Sequence, residues 1–166
     1  MKRNNRLDWK LYFSNIALSS ALRATCPKIS VGAVLVKNKE IVSTGYNGAP
    51  KGMKHCTEVG CILDKSGHCI RSVHAEANAI IRAKTDTYGA ELFCTHFPCI
   101  ECCKLILNAG IVKVYYIYEY VDERSLELGY HSQSQFLKEG KVKVEKISYS
   151  DLILPNPSDY WVLPNC

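Results

Sequence analysis

Apolar residues at Leu11, Ile16, Leu18, Ala21 and Leu22 recur at helical spacing and predict a first helix over about residues 8–24, ended by Pro27. The period then changes. Val31 to Val36 and Ile41 to Tyr46 are apolar, β-branched runs separated by Asn38-Lys39, which predicts an antiparallel hairpin. Residues 47–72 show no period and are expected to form a long loop of functional character. Helical spacing returns near His74 and runs through Ile80 and Ile81 to about Lys84. Leu92-Phe93-Cys94 reads as a short strand, and Pro98 opens a third helix that runs through Asn108 and stops at Gly110. Val112 to Tyr118 is a β-branched and aromatic strand, followed by a polar helix (about 123–138) and a last strand (about 142–147). This alternation predicts a three-layer α/β domain over residues 1–150 with a central sheet. Residues 151–166, with Pro155, Pro157 and Pro164, read as an extended tail.

The 166 residues suffice for one domain that buries roughly two-thirds of its unfolded surface. Hydrophobic residues at 47% and charged residues at 22% are ordinary globular values and argue against a disordered chain. No apolar run reaches membrane-spanning length, so a membrane protein is not expected. Lys2, Arg3 and Arg6 resemble the start of a signal peptide, but Asp8, Lys10, Ser14, Asn15, Ser19 and Ser20 replace its apolar core. A cytoplasmic location is therefore expected, or the host cytoplasm for a phage-encoded chain. There, nine cysteines point to metal or catalysis before disulfides. The net charge of +5 fits either a solvated basic surface or attraction for a phosphorylated ligand.

The chemistry concentrates in His74-Ala75-Glu76 and Pro98-Cys99-Ile100-Glu101-Cys102. His74, Cys99 and Cys102 are three metal donors, and three protein ligands leave a tetrahedral Zn²⁺ one open position, the mark of a catalytic site. Cys99 and Cys102, at i and i+3, face one side of a helix's first turn, while Cys103 points elsewhere as a packed thiol. Two thiolates and a neutral imidazole balance the ion's charge, and helix N-termini favour the thiolates. Glu76 is then free to move protons. H-x-E…P-C-x-x-C is the pattern of the zinc-dependent nucleobase deaminases. The bland alternatives are a closed zinc knuckle with Glu76 a surface acid, or His74 as a helix cap.

Around this motif, Cys26-Pro27, Val31-Gly32-Ala33, Gly45-Tyr46-Asn47-Gly48, His55-Cys56, His68-Cys69, His74 to Ile80 and Thr95 to Cys103 make the chain resemble the deoxycytidylate (dCMP) deaminases. Within that family the likeness is greatest to the bacterial branch that includes the late-competence ComE operon protein, and to its phage relatives. It extends over about residues 7–121 and fades in the last forty-odd. The resemblance implies a three-layer αβα cytidine deaminase-like fold with a central mixed five-stranded sheet. It implies zinc-dependent hydrolysis of dCMP to dUMP for thymidylate synthesis, with dCTP and dTTP as effectors, Mg²⁺ accompanying a triphosphate, and a homohexameric assembly. It places zinc on His74, Cys99 and Cys102 and the proton shuttle on Glu76. Asn47, Arg23 and Tyr120 would contact substrate (Arg23 the 5′-phosphate), and Gly45, Tyr46, Asn47 and Gly48 would serve the effector. Cys26 and Cys56 would hold a second, structural zinc, completed from among Cys61, His68 and Cys69, against an alternative of reduced, buried thiols.

Three other readings share the zinc motif. A bifunctional dCMP/dCTP deaminase would use the same site. A nucleic-acid cytosine or adenine deaminase would not need the Gly-Tyr-Asn-Gly and Cys-rich loop. A non-enzymatic zinc adaptor linked to DNA uptake would have no use for Glu76. A free-nucleotide substrate is the expectation, with no nucleic-acid or membrane partner.

Overall fold

The computed structural model describes residues 7–65, 67–121 and 133–152. In chain order the elements are α1 (Trp9–Ala21), β1 (Gly32–Lys37), β2 (Glu40–Tyr46), α2 (Cys56–Val59), α3 (Ala75–Arg82), β3 (Glu91–His96), α4 (Ile100–Asn108), β4 (Lys113–Tyr118), α5 (Gln133–Glu139) and β5 (Lys143–Lys146). A 3₁₀ turn over Tyr149–Asp151 follows. The five strands form one sheet in the order β2-β1-β3-β4-β5. β1 is antiparallel to β2 and β3, whereas β3, β4 and β5 run parallel. The expected mixed five-stranded α/β fold is present.

The hairpin turns where the pattern placed it. Asn38 and Lys39 both take positive φ, 54° and 64°, the backbone of a tight two-residue turn that matches strand twist. Period-two alternation then sorts β1 onto two faces. Val34 and Val36 join Phe13, Ala17 and Leu18 of α1 in one cluster, with Phe93 and Tyr115 stacked at 4.3 Å. Ala33 and Leu35 face the other way, toward Ala75 and Ala79 of α3, Ile106 of α4 and Leu137 of α5. Burying each of these larger aliphatic side chains contributes roughly 1.5–3 kcal/mol. α1 thus covers one face of the sheet, and α3, α4 and α5 cover the other.

Several boundaries shift. The first helix stops at Ala21, with Leu22 exposed and its buried face carried by Phe13, Ala17, Leu18 and Ala21. The second ends at Arg82, not Lys84, and β3 extends to His96. The segment 47–72 is not featureless: it holds α2 and two bridges, Gly48 with Val73 and Leu63 with Cys69. Of the polar helix expected over 123–138, residues 122–132 lie outside the described residues and the remainder forms α5. The tail from residue 153 and the basic cluster of Lys2, Arg3 and Arg6 also lie outside them.

α3 sits unusually close to β2. A Cβ on Gly45 would run into the carbonyl of Ala75 and the amide of Ala79, so only glycine lets the helix settle there. Ser43 donates to the Ala79 carbonyl at 2.5 Å and Asn78 Nδ2 donates to the Tyr46 carbonyl at 2.8 Å, tying the same helix down. Gly45→Ala is therefore expected to lower stability by about 3 kcal/mol, as overpacking against rigid backbone does, and thermal or urea denaturation will measure it.

Candidate active site

The site lies at the carboxyl ends of the parallel strands, where β3 hands over to α4, the usual place for a ligand in an open α/β sheet. His74 is the N-cap of α3 and Cys99 the N-cap of α4, so two helix N-termini converge. Neither residue spends its side chain on capping. His74 Nδ1 is 3.3 Å from Cys99 Sγ and 3.5 Å from Cys102 Sγ, and the three donor atoms all lie within 4.8 Å of one another. Two sulfurs and an imidazole at this spacing have the composition and closeness of a zinc site.

Without an ion the two thiols share protons unequally. Hydrogen bonding from Cys102, then from His74, pulls the Cys99 pKa down to about 4, while the same pairing pushes Cys102 up. A dication held by His74, Cys99 and Cys102 would stand where that proton is shared. Glu76, in the first turn of α3, is buried (4% exposed), and burial raises its pKa. Its Oε2 lies 3.6 Å from Cys102 Sγ, at the limit for a sulfur contact. The carboxylate therefore stands beside the donor set. Cys103 packs away from it, fully buried, as expected.

A cavity of about 340 Å³ opens onto His74, Glu76 and Cys99. Among the residues proposed from sequence, Asn47 and Tyr120 also line it. Asn47 is largely committed to the backbone: its Oδ1 accepts from Val31 N–H at 2.8 Å and its Nδ2 donates to the Ile29 carbonyl at 2.8 Å. One amide hydrogen remains for a ligand. Arg23 is exposed beyond the end of α1 and does not line the cavity. Lys28 is the single Lys or Arg among the described residues that does, and its Nζ donates to the Gly67 carbonyl at 2.9 Å.

Of the Gly45-Tyr46-Asn47-Gly48 stretch, only Asn47 reaches the cavity. Gly45 lies under α3, Tyr46 receives the Arg82 guanidinium at 5.2 Å from its ring centroid, and Gly48 abuts Thr25. Sequence reasoning missed Lys28, His96 and Phe97, all on the cavity wall. Their signal was positional: His96 and Phe97 immediately precede Pro98-Cys99 at the strand end.

The loop cysteines form a second cluster. Cys56, Cys61 and Cys69 bring their sulfurs within 4.8 Å of one another, with Cys56 and Cys69 at 3.6 Å. Burial, then the hydrogen bond with Cys69, pushes Cys56 up to about 12. Burial acts on Cys69 as well, but the backbone N–H groups of Arg71 and Ser72 outweigh it and lower its pKa. Cys26 is buried and interacts electrostatically with Cys61 but stands outside the tight trio. His68 lines the cavity, its Nδ1 3.7 Å from an Asp64 oxygen. The trio thus joins Cys56 to Cys61 and Cys69 and leaves Cys26 and His68 at its margin.

Asn47→Ala removes two backbone hydrogen bonds from one cavity wall. It is expected to cost about 1–3 kcal/mol and to speed amide hydrogen exchange at Val31, read by exchange mass spectrometry.

Comparison with known proteins agrees with this geometry. The profile of the cytidine and deoxycytidylate deaminase zinc-binding region matches residues 7–118. ComE operon protein 2 of Bacillus subtilis (strain 168) is 40% identical over 152 residues, spanning 90% of this chain and 76% of that protein. The deoxycytidylate deaminase of Mycobacterium phage D29 is 41% identical over 123 residues, 68% of this chain and 96% of the phage protein. Among solved structures, the dCMP deaminase of cyanophage S-TIM5 in complex with dCMP and dUMP superposes with a TM-score of 0.69 at 34% identity, covering 89% of this chain and 99% of that one. With the motif, the fold and these matches in agreement, the chain belongs to the cytidine and deoxycytidylate deaminase family and is a hydrolytic deaminase.

Proposed function

We propose that this enzyme converts dCMP to dUMP, supplying thymidylate synthesis. The observation that carries the reading is the buried Glu76 carboxylate beside the His74-Cys99-Cys102 cluster, on one cavity. Those three residues would hold Zn²⁺, which when bound supplies the Lewis acidity that makes water nucleophilic near neutral pH. Glu76 does the proton work. It takes a proton from the attacking water, delivers it to the ring nitrogen next to the reacting carbon, and then assists departure of the amino group as ammonia. Its burial suits this role, since a group that carries a proton midway through turnover needs a raised pKa. Lys28, rather than Arg23, is the cation placed to attract a 5′-phosphate.

Family likeness supports three further features of this reading: regulation by dCTP and dTTP with Mg²⁺ on the triphosphate, a homohexamer, and a cytoplasmic location. Among the described residues no helix is long and apolar enough to cross a membrane.

Ultraviolet monitoring of dCMP, dCTP, deoxycytidine and a cytosine-containing oligonucleotide in parallel tests the substrate. dCMP is expected to be turned over with kcat/KM far above that of the nucleoside, and equal activity on deoxycytidine or preference for the oligonucleotide overturns the assignment. In the same assay Glu76→Gln should keep its metal and fold yet lose about 10²–10⁴-fold in kcat. Substantial deamination by that variant, metal-replete, removes Glu76 from its role.

Cys56, Cys61 and Cys69 are the core of the proposed second, structural zinc site, with Cys26 a further thiol that interacts electrostatically with Cys61. A closed site of this kind transfers its binding energy to the loop that supplies it. Elemental analysis should give about two zinc ions per chain, and Cys61→Ser should lose one while leaving the His74 site filled. One zinc in the unaltered protein, with Cys56, Cys61 and Cys69 freely reactive toward a thiol reagent, returns them to ordinary buried cysteines.

A further inference from the structure

His96 ends β3 and lines the cavity, yet belongs to neither the donor set nor the proton shuttle. Its ring is held by one side-chain hydrogen bond, between Nδ1 and Thr95 Oγ1 at 3.0 Å, and by packing against Tyr118 at 5.1 Å between ring centroids. Thr95 is completely buried, and its oxygen already accepts from the Gly32 N–H at 3.1 Å. The hydroxyl proton then has a single acceptor among the described residues, His96 Nδ1. Were Nδ1 protonated, that hydroxyl proton would be buried without a partner, which is costly. The Gly32–Thr95–His96 chain therefore makes Nδ1 an acceptor and leaves the ring hydrogen on Nε2. Burial lowers the ring's pKa to about 4, so at neutral pH it offers one uncharged N–H.

We propose that the His96 Nε2–H is a specificity donor that reads an uncharged oxygen acceptor of the nucleotide, either the pyrimidine carbonyl or the sugar hydroxyl. The inference rests on the dCMP reading of the cavity. The neighbouring groups suit other partners: Lys28 is a point charge for phosphate, and Glu76 handles protons. Asn47 has one amide hydrogen left after holding the 29–31 backbone. A site built around a neutral donor rejects an analogue that lacks the acceptor, because the donor is then left unpaired.

The test is steady-state kinetics on the zinc-loaded enzyme with dCMP, its 2-thio analogue and its 3′-deoxy analogue, for the wild type and for His96→Phe, His96→Gln and Thr95→Val. His96→Phe should lose about 10- to 100-fold in kcat/KM on dCMP with unchanged zinc content. His96→Gln, whose amide N–H can replace Nε2–H, should come within a few-fold of wild type, and Thr95→Val, which releases the tautomer, should fall between. The wild type should be slow on one analogue, and on that analogue His96→Phe should lose nothing further. A 2-thio effect identifies the ring carbonyl, and a 3′-deoxy effect the sugar hydroxyl. His96→Phe within two-fold of wild type on dCMP, or an equal loss on all three substrates, overturns the proposal. Should that variant fail to fold, Thr95→Val decides by the same comparison. A wild type inert toward dCMP overturns the underlying reading as well; an active wild type indifferent to His96 overturns this one alone.

Discussion

The close approach of α3 to β2, in which Gly45 presents bare backbone to Ala75 and Ala79, fixes where His74 and Glu76 stand relative to the strand that delivers Cys99. A helix held farther out by even one methyl group would carry His74 away from the two sulfurs it now approaches within 3.5 Å. Metal sites tolerate displacements of only a few tenths of an ångström, so a packing glycine that offers no functional group of its own governs the chemistry. Ala75 and Ala79 belong to the same constraint from the helix side. Both are completely buried, and larger side chains there would lift the helix as a methyl on Gly45 would.

The electrostatics follow from that placement. Burying a carboxylate and two thiols together beside an imidazole is unfavourable unless something stabilises charge, and here two convergent helix N-termini supply part of it. The remainder shows in the unequal thiols, Cys99 ionising readily while Cys102 resists. That is the behaviour of a donor set that expects a cation. The Cys56-Cys61-Cys69 trio repeats the logic more simply, with backbone N–H groups of Arg71 and Ser72 favouring one thiolate among thiols that burial otherwise keeps protonated.

Much of this was legible in the sequence because it depends on short-range spacing. The turn at Asn38-Lys39, the helix start at His74 and the packed Cys103 follow from residue type and period, whereas the helix expected to open at Pro98 begins at Ile100 with Cys99 as its cap. The donor triad was legible because Cys99 and Cys102 are one helical turn apart and His74 is fixed by its neighbour motif. Longer-range assignments were less secure. Arg23 looked suited to a phosphate by position along the chain, but α1 ends with it in solvent, and Lys28 reaches the cavity instead. Gly45 sat in a Gly-Tyr-Asn-Gly stretch read as a ligand loop, whereas strand register sends its Cα under α3. The ordering within 47–72 was invisible because Leu63–Cys69 and Gly48–Val73 are isolated bridges that leave no periodic trace.

The cavity wall shows a second use of buried polar groups beside the reacting ones. Asn47 joins the β2 exit to the β1 entry by holding the backbone at Ile29 and Val31, and Thr95 joins β3 to β1 through Gly32. Both stitch the strands that frame the cavity, and each keeps some capacity beyond that task, Asn47 one amide hydrogen and Thr95 the hydroxyl it shares with the ring of the cavity-lining His96. A wall fastened by apolar contacts alone could be as stable but would present nothing directional to a ligand. Spending most of each polar group on the scaffold holds the remaining donor in one orientation, so less conformational entropy is lost when a nucleotide engages it. Preorganisation here is a property of the strand junctions that carry the donors, established before any ligand arrives.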